Sequence, residues 1–305
     1  MGACFDAKKG NQLMKNRIFI VVAVLLCLLA LLTVFAGCDI FSQRVIANYE
    51  TRTYPVEGDF TKIEIDTRVT DVSFARSEDE SCHVVCEERE DLRHTVKVED
   101  GTLKIVLEGK KSFSFYTKDM TMVVYLPETE YGSLHVENST GNVSVPSGYS
   151  FGDLKISLST GNIHLNGVSA ETIDLTASTG KITAEKVDCK ETMTLSVSTG
   201  NVNLTDTTCK NLKSTGSTGN LTLKDVAATE GFDLERSTGN IRFDHSDAET
   251  ITAKTSTGKV TGTLRSDKIF ITHTSTGSID VPETTSGGTC KITTSTGKIE
   301  IEIEK

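Results

Sequence analysis

The chain has 305 residues, enough for one large or two modest domains, and a formal net charge of −10. Binding nucleic acid needs clustered Lys and Arg to displace counterions; no basic stripe stands outside the N-terminus, which excludes nucleic acid as a partner. With no Trp, 4 Pro and 24 Gly, the composition suits an all-β chain of tight turns and argues against a large aromatic-lined pocket.

Residues 1–40 read as a cytoplasmic stub followed by a signal or anchor segment. Ile18 to Ala36 is almost wholly apolar. As a helix it would span about 28 Å, close to the thickness of a bilayer core. Lys8, Lys9, Lys15 and Arg17 precede it. Positive charge before a first span holds that end in the cytoplasm, so everything after residue 40 is expected outside a cell membrane. The run ends in Phe35-Ala36-Gly37-Cys38, which resembles a bacterial lipoprotein signal. That resemblance implies lipidation of Cys38, although Phe35 replaces the usual aliphatic residue. A start at Met14 rather than Met1 gives the signal an ordinary length. An uncleaved transmembrane helix is the alternative, and either form tethers the chain to the membrane.

Residues 45–135 are β-patterned but irregular. Ile63, Ile65, Val96, Val98, Leu103, Ile105, Val123 and Tyr125 mark strands by alternation. Thr70-Asp71-Val72-Ser73-Phe74 looks like a worn copy of Gly141-Asn142-Val143-Ser144-Val145. The region is expected to start the following repeat with degenerate coils or to cap it with a small sheet. The acidic runs Glu78–Glu80 and Glu87–Asp91 are expected in solvated loops. Cys82 and Cys86 share one strand face about 13 Å apart, too far to bond. His83 points to the opposite face, so no metal site is expected there, and no cofactor is expected elsewhere.

Residues 136–305 are periodic. Ser-Thr-Gly recurs in a regular series of nine, with Gly at 141, 161, 180, 200, 219, 239, 258, 277 and 297. The spacing is 19 or 20 residues throughout. Apolar residues alternate before each Gly, as in Leu154, Ile156 and Leu158, and after it, as in Ile163 and Leu165. Period two means strands, and short strands around a turn at each Gly leave no room for a helix. A propeller blade needs a longer repeat, and a leucine-rich repeat needs different spacing. The prediction is an all-β, single-stranded parallel β-helix (β-solenoid) with about 19–20 residues per coil, following the N-terminal membrane helix or signal.

Stacking such coils puts like on like. Thr140, Thr160, Thr179, Thr199, Thr218, Thr238, Thr257, Thr276 and Thr296 fall in one column, where hydroxyls can pair. Gly141, Gly161, Gly180, Gly200, Gly219, Gly239, Gly258, Gly277 and Gly297 form the next, each making a tight corner. Asn142, Asn162, Asn201, Asn220 and Asn240 follow, interrupted by Lys181, Lys259 and Lys298. Stacked Asn amides are expected to bond to each other. Folding alone explains this turn motif; a ligand-reading ladder is the sharper alternative. Cys189 and Cys209 share a column with Ala170, Ala228 and Ala248 and read as small buried hydrophobes. The closing run from Lys298 to Lys305 alternates Ile and Glu. It is expected to be the exposed end of the rod, its Glu row discouraging edge-to-edge growth.

The repeated turns, such as Ser159-Thr160-Gly161-Asn162 and Ser237-Thr238-Gly239-Asn240, resemble those of a bacterial adhesin-like family of anchored envelope proteins with β-strand repeats, a domain of unknown function. The resemblance covers roughly residues 45–305. It implies the solenoid fold and a surface role, but no catalytic or binding residues. The six histidines scatter over different columns, and only His245 lies near two acids, Asp244 and Asp247. The leading expectation is therefore a non-enzymatic extracytoplasmic binding or scaffold module. Its partners would be envelope polymers, host glycans or a membrane protein. Alternatives are an envelope-stress sensor acting through a membrane partner and a polysaccharide-active β-helix enzyme.

Overall fold

The computed structural model describes residues 49–109 and 120–304. The apolar run at Ile18–Ala36 and Cys38 lie outside the described residues. Among those residues every regular element is a strand, and no helix is long and apolar enough to cross a membrane. Six strands come first: β1 (Tyr49–Pro55), β2 (Lys62–Arg76), β3 (His83–Arg89), β4 (Arg93–Glu99), β5 (Thr102–Glu108) and β6 (Met120–Leu126). Nine long–short pairs follow, each hinged at a Ser-Thr-Gly. They begin with β7 (Glu130–Thr140) and β8 (Val143–Val145), β9 (Ser150–Thr160) and β10 (Ile163–Asn166), and β11 (Ser169–Thr179) and β12 (Ile182–Glu185). Next are β13 (Asp188–Thr199) and β14 (Val202–Thr205), β15 (Thr208–Thr218) and β16 (Leu221–Lys224), and β17 (Ala227–Thr238) and β18 (Ile241–Asp244). The last are β19 (Asp247–Thr257) and β20 (Val260–Leu264), β21 (Lys268–Thr276) and β22 (Ile279–Asp280), and β23 (Gly288–Thr296) and β24 (Ile299–Ile303).

Long strands pair in parallel with long strands, and short with short, so the chain builds a parallel β-solenoid of about nine Ser-Thr-Gly turns. The inward columns make its core. Ile163, Ile182, Val202, Leu221, Ile241, Val260 and Ile299 are all fully buried in one of them. Ala170, Cys189, Cys209, Ala228 and Ala248 stack in register as small buried residues, and both cysteines are free.

The alternation of 19 and 20 residues has a local cause. β13 and β17 have 12 residues, whereas β11, β15 and β19 have 11. The extra residue sits in a bulge, with a register shift just after Cys189 and Ala228. An outward bulge absorbs it without turning the inward columns inside out.

Five successive coils have a second corner that the sequence does not announce. Gly167, Lys186, Asp206, Asp225 and His245 all turn it with φ between 49° and 64°. The left-handed region is costly for residues other than Gly, with Asp and Asn the least penalised. His245 is thus a corner residue, exposed and hydrogen-bonded to its neighbour Asp244 at 3.0 Å.

Both ends depart from chain order. β2 bends through the two sheets and lies between coil β5–β6 and coil β7–β8. Beyond that, β4 runs antiparallel to β5, and β3 antiparallel to β6 with β1 outside it. At this end β2 thus adds an irregular coil, and β1, β3 and β4 lie antiparallel beyond it. The worn motif aligns as read, Val72 beside Val143 and Ser73 beside Ser144.

At the other end, β23 lies between β19 and β21, and β24 between β20 and β22. This corrects the expectation that the Ile–Glu run is the exposed end of the rod. Ile299 and Ile301 are interior, and the outermost coil is β21–β22. The returning chain squeezes past its neighbours at Gly287 and Gly288. A Cβ there would lie 1.8 Å from the Asp267 carbonyl oxygen and 1.7 Å from that of Glu249.

Candidate functional site

The Ser-Thr-Gly corner is the most repeated piece of chemistry in the chain, so its geometry comes first. The Thr column is continuous, except that Thr296 sits between Thr257 and Thr276. Its working group is the backbone. From Thr160 onward each Thr carbonyl accepts from the corner Gly amide of an adjoining coil, as in Gly161 N to Thr179 O at 2.9 Å and Gly200 N to Thr218 O at 2.8 Å. The stacked hydroxyls do not bond to one another among the described residues, contrary to expectation. The Ser and Thr of all nine corners are exposed.

The Asn ladder also differs from the expected amide–amide chain. Asn142 Oδ1 accepts from Asn162 Nδ2 at 2.9 Å, but the general link is to backbone. Asn162 Oδ1 accepts the Lys181 amide, Asn201 Oδ1 that of Asn220, Asn220 Oδ1 that of Asn240, and Asn240 Oδ1 that of Lys259. Lys fits the receiving position because its amide alone is used. It ends the run because it has no acceptor to offer onward. Asp71 begins the ladder by accepting the Asn142 amide at 2.6 Å. The ladder is occupied in holding coils together, which leaves the serine and threonine hydroxyls as the free polar groups.

The outer face of the long-strand sheet is concave at two adjoining places near β2. One depression of about 410 Å³ is bounded by Asp66, Arg68, Glu137, Ser139, Ser157 and Ser159. The next, about 350 Å³, is bounded by Glu64, Asp66, Lys104, His135 and Glu137. They share Asp66 and Glu137, which are direct neighbours across the β2–β7 ladder. His135 Nε2 meets Asp153 Oδ2 at 2.6 Å, and Thr172 donates to Asp153 Oδ1 at 2.6 Å. Burial opposes ionisation of Asp153, but these hydrogen bonds outweigh it and hold the carboxyl below its ordinary range. The face can offer hydroxyls, carboxylates and a few cations to an extended polar ligand. Sequence reasoning missed this concentration because its named residues, from Glu64 to Ser159, come from strands far apart in the chain.

A second cluster is wholly internal. Cys86, Glu88 and His94 bring possible ligand atoms within 4.8 Å of one another. Glu88 and His94 are buried, which corrects the expectation that the run Glu87–Asp91 is a solvated loop. The cluster fits a lock better than a metal centre. Glu88 Oε2 accepts from the His94 amide at 2.8 Å and pairs with His94 Nδ1 at 2.9 Å. Its Oε1 accepts from Tyr54 and lies 3.6 Å from Arg52 Nε. On the other side of the ring, Nε2 is 3.4 Å from Thr70 Oγ1 and 3.5 Å from Thr67 Oγ1. Burial pushes the Cys86 thiol up to about 12, so it keeps its proton at neutral pH. The cluster ties β1, β3 and β4 to β2.

Burial holds the His94 pKa below its ordinary value of 6.5, despite the pull of Glu88. The unfolded chain gains a proton near that value while the folded chain refuses it. This contribution to stability is therefore complete above about pH 6.5 and falls as pH drops, by up to about 1.4 kcal/mol per pH unit. Urea unfolding between pH 7.5 and 5 should show this loss, and His94→Asn should flatten it. An unchanged slope in the variant would remove His94 as its source.

Among the described residues, one buried charge is held without a carboxylate partner. Arg236 is 2% exposed and fills the inward space left by Gly216. It donates to Ser214 Oγ at 2.8 Å and to Glu235 O at 2.7 Å. Burial lowers its pKa to about 10, so it stays charged.

A parallel solenoid whose unengaged polar groups line an outer face is a repeat-built surface module rather than a protein organised around a deep pocket. The chain belongs to the Toastrack DUF4097 family, whose model matches residues 60–302. Solved structures share the fold. A protein from Parabacteroides merdae, described as a putative adhesin, is 16% identical with a TM-score of 0.55, covering 85% of this chain and 97% of its own. Another so described, from Parabacteroides distasonis, is 13% identical with a TM-score of 0.50, covering 85% of this chain and 98% of its own. No curated protein matches the sequence.

Proposed function

We propose that the protein is a non-enzymatic binding module, tethered to a bacterial membrane by residues 18–36 or by a lipid on Cys38, that holds an extended hydroxyl-rich polymer on its outer face. Envelope polysaccharides and glycans are the fitting class, since such ligands exchange many hydrogen bonds with rows of hydroxyls and carboxylates. The observation that carries the reading is the pair of adjoining depressions sharing Asp66 and Glu137, continuous with the exposed Ser and Thr columns. The adhesin descriptions of two fold relatives agree with it. The two acids lie on an open face instead of flanking an enclosed cleft, which favours holding over cleavage.

The test is saturable binding of the full chain, in nanodiscs, to purified cell-wall polysaccharides and glycans. The variant Asp66→Asn/Glu137→Gln/Ser159→Arg should weaken binding about ten-fold or more and melt like the parent. Binding that survives the triple change would move the site elsewhere. Release of shortened polymer, lost in the same variant, would make the face catalytic and overturn the proposal.

A further inference from the structure

Three neighbouring positions break the apolar columns of the long-strand sheet. Ser214 stands between Leu195 and Leu234, and Gly216 and Arg236 follow Leu158, Ala177 and Val197 in the adjacent inward column. Burying a charge is costly unless it is paired, and an apolar side chain of similar volume would hold these coils at least as well. Arg236 is bonded only to neutral oxygens, Ser214 Oγ and Glu235 O. Among the described residues no carboxylate lies near enough to offset its charge. Folding therefore does not account for it. Its guanidinium lies against the inner side of the sheet at Gly216, where a Cβ would be 3.1 Å from both Cδ and Cζ of Arg236. On the outer side of the same glycine is a depression of about 230 Å³, bounded by Ser196, Ser198, Thr215, Ser217 and Ser237. Ser198, Ser217 and Ser237 are exposed, and among the described residues no hydrogen bond occupies their hydroxyls. Glu235 is the one carboxylate bounding it among those residues, and Lys254 pairs with it at 3.0 Å. The depression shares the outer face with those near β2, since Ser196 sits beside Thr176, but it shares no residue with them.

We propose that this depression is a second binding site, for a tetrahedral oxyanion such as a sulfate or phosphate group, held by the serine and threonine hydroxyls over the buried charge of Arg236. The two layers do different work. Hydroxyls of successive coils stand about 4.8 Å apart, so one oxyanion can accept from two coils at once, in the short charge-assisted bonds that ionised acceptors make. Hydroxyls alone would not tell an anion from a sugar hydroxyl. Arg236 supplies the difference, because its charge acts across the backbone of Gly216 from an interior that screens it little. The missing side chain of Gly216 is what lets the guanidinium approach the floor of the depression. Near β2 the acids Glu64, Asp66 and Glu137 favour hydroxyl donors and repel anions. The two places on the face therefore take different parts of a ligand. On the reading proposed above, the polymer carries sulfate or phosphate substituents, and one of them seats at Gly216 while its hydroxyls meet Asp66 and Glu137. The oxyanion site itself does not depend on that reading.

Equilibrium dialysis of labelled sulfate against the full chain, in nanodiscs of zwitterionic lipid at low ionic strength, tests this. The parent is expected to take up sulfate saturably. Arg236→Met, which keeps an unbranched side chain and removes the charge, should raise the dissociation constant about ten-fold or more and melt no lower than the parent. Ser217→Asp, an exposed change, should weaken uptake as much from the outer side. Thr252→Asp, which adds the same charge elsewhere on the sheet, should bind as the parent does. Should Arg236→Met fail to fold, Ser217→Asp set against Thr252→Asp decides alone. No saturable uptake, uptake unmoved by a folded Arg236→Met or by Ser217→Asp, or uptake lost equally in Thr252→Asp would overturn the proposal. Dextran sulfate beside neutral dextran then identifies the source of the group. Displacement of labelled sulfate by dextran sulfate alone supports the site and brings its ligand on a polymer; displacement by neither supports the site and makes its ligand a free ion. The Asp66→Asn/Glu137→Gln/Ser159→Arg variant should still bind sulfate, so a failure of the polymer reading would leave the oxyanion site standing.

Discussion

Replacing Gly200 with alanine should destabilise the protein by about 4 kcal/mol or more, the range reserved for changes the fold cannot absorb. The corner is exposed and looks tolerant. Yet a Cβ at residue 200 would lie 1.7 Å from the Gly180 carbonyl oxygen and 2.7 Å from its carbon. Backbone cannot swing aside as a side chain can. The coil spacing would have to open, breaking the Gly180 N to Thr199 O bond and its neighbours. The φ of 146° adds strain, because side-chain-bearing residues avoid that region. Thr199→Ala, one residue away and exposed, should stay within about 0.5 kcal/mol. Urea midpoints of the two variants decide the matter. Equal effects would mean that the Gly column is decorative and the corner is held by its hydroxyls.

The second large effect belongs to Ile241→Asp. Ile241 is fully buried between Leu221 and Val260 of the adjoining coils. The substitution removes apolar contact and places a carboxylate where neither water nor a cation waits, which costs several kcal/mol by either route. The solenoid gives it little room to relax, since neighbouring coils share the same column. Arg242→Ala, on the outward face of the same strand, should change stability by only a few tenths of a kcal/mol. If both variants melt alike, the assignment of inside and outside fails for all nine coils at once.

The repeat was legible because two independent periods agree in it. Alternation of two along Leu154, Ile156 and Leu158 sets the strand, and the return of Gly every 19 or 20 residues sets the coil. The second corner was not legible, because a left-handed residue can be Gly, Lys, Asp or His, and the five at 167, 186, 206, 225 and 245 include all four. The order of the last two coils was hidden for a stronger reason. Like stacks on like, so Thr296 fits against Thr257 as well as Thr276 does, and the motif cannot say which comes next. The signs of the swap were Gly287-Gly288 and the apolar Ile269 and Ile271 in positions that are polar elsewhere. Of the candidate site, the exposed hydroxyl columns could be read directly. The meeting of Asp66 with Glu137 could not, because it depends on β2 lying beside β7.

The late placement of β23 and β24 bears on how the molecule is completed as it is made. A chain delivered from its N-terminus presents β21 and β22 while β19 and β20 are still uncovered. The incoming coil matches the open ladder and can zip onto it. The final two strands nevertheless end in that place, with β21–β22 one level further out. Clipping the C-terminus is therefore not the trimming of an edge. It withdraws a rung from within the stack, breaks ladders on both sides, and leaves β21–β22 to fall back onto β19–β20.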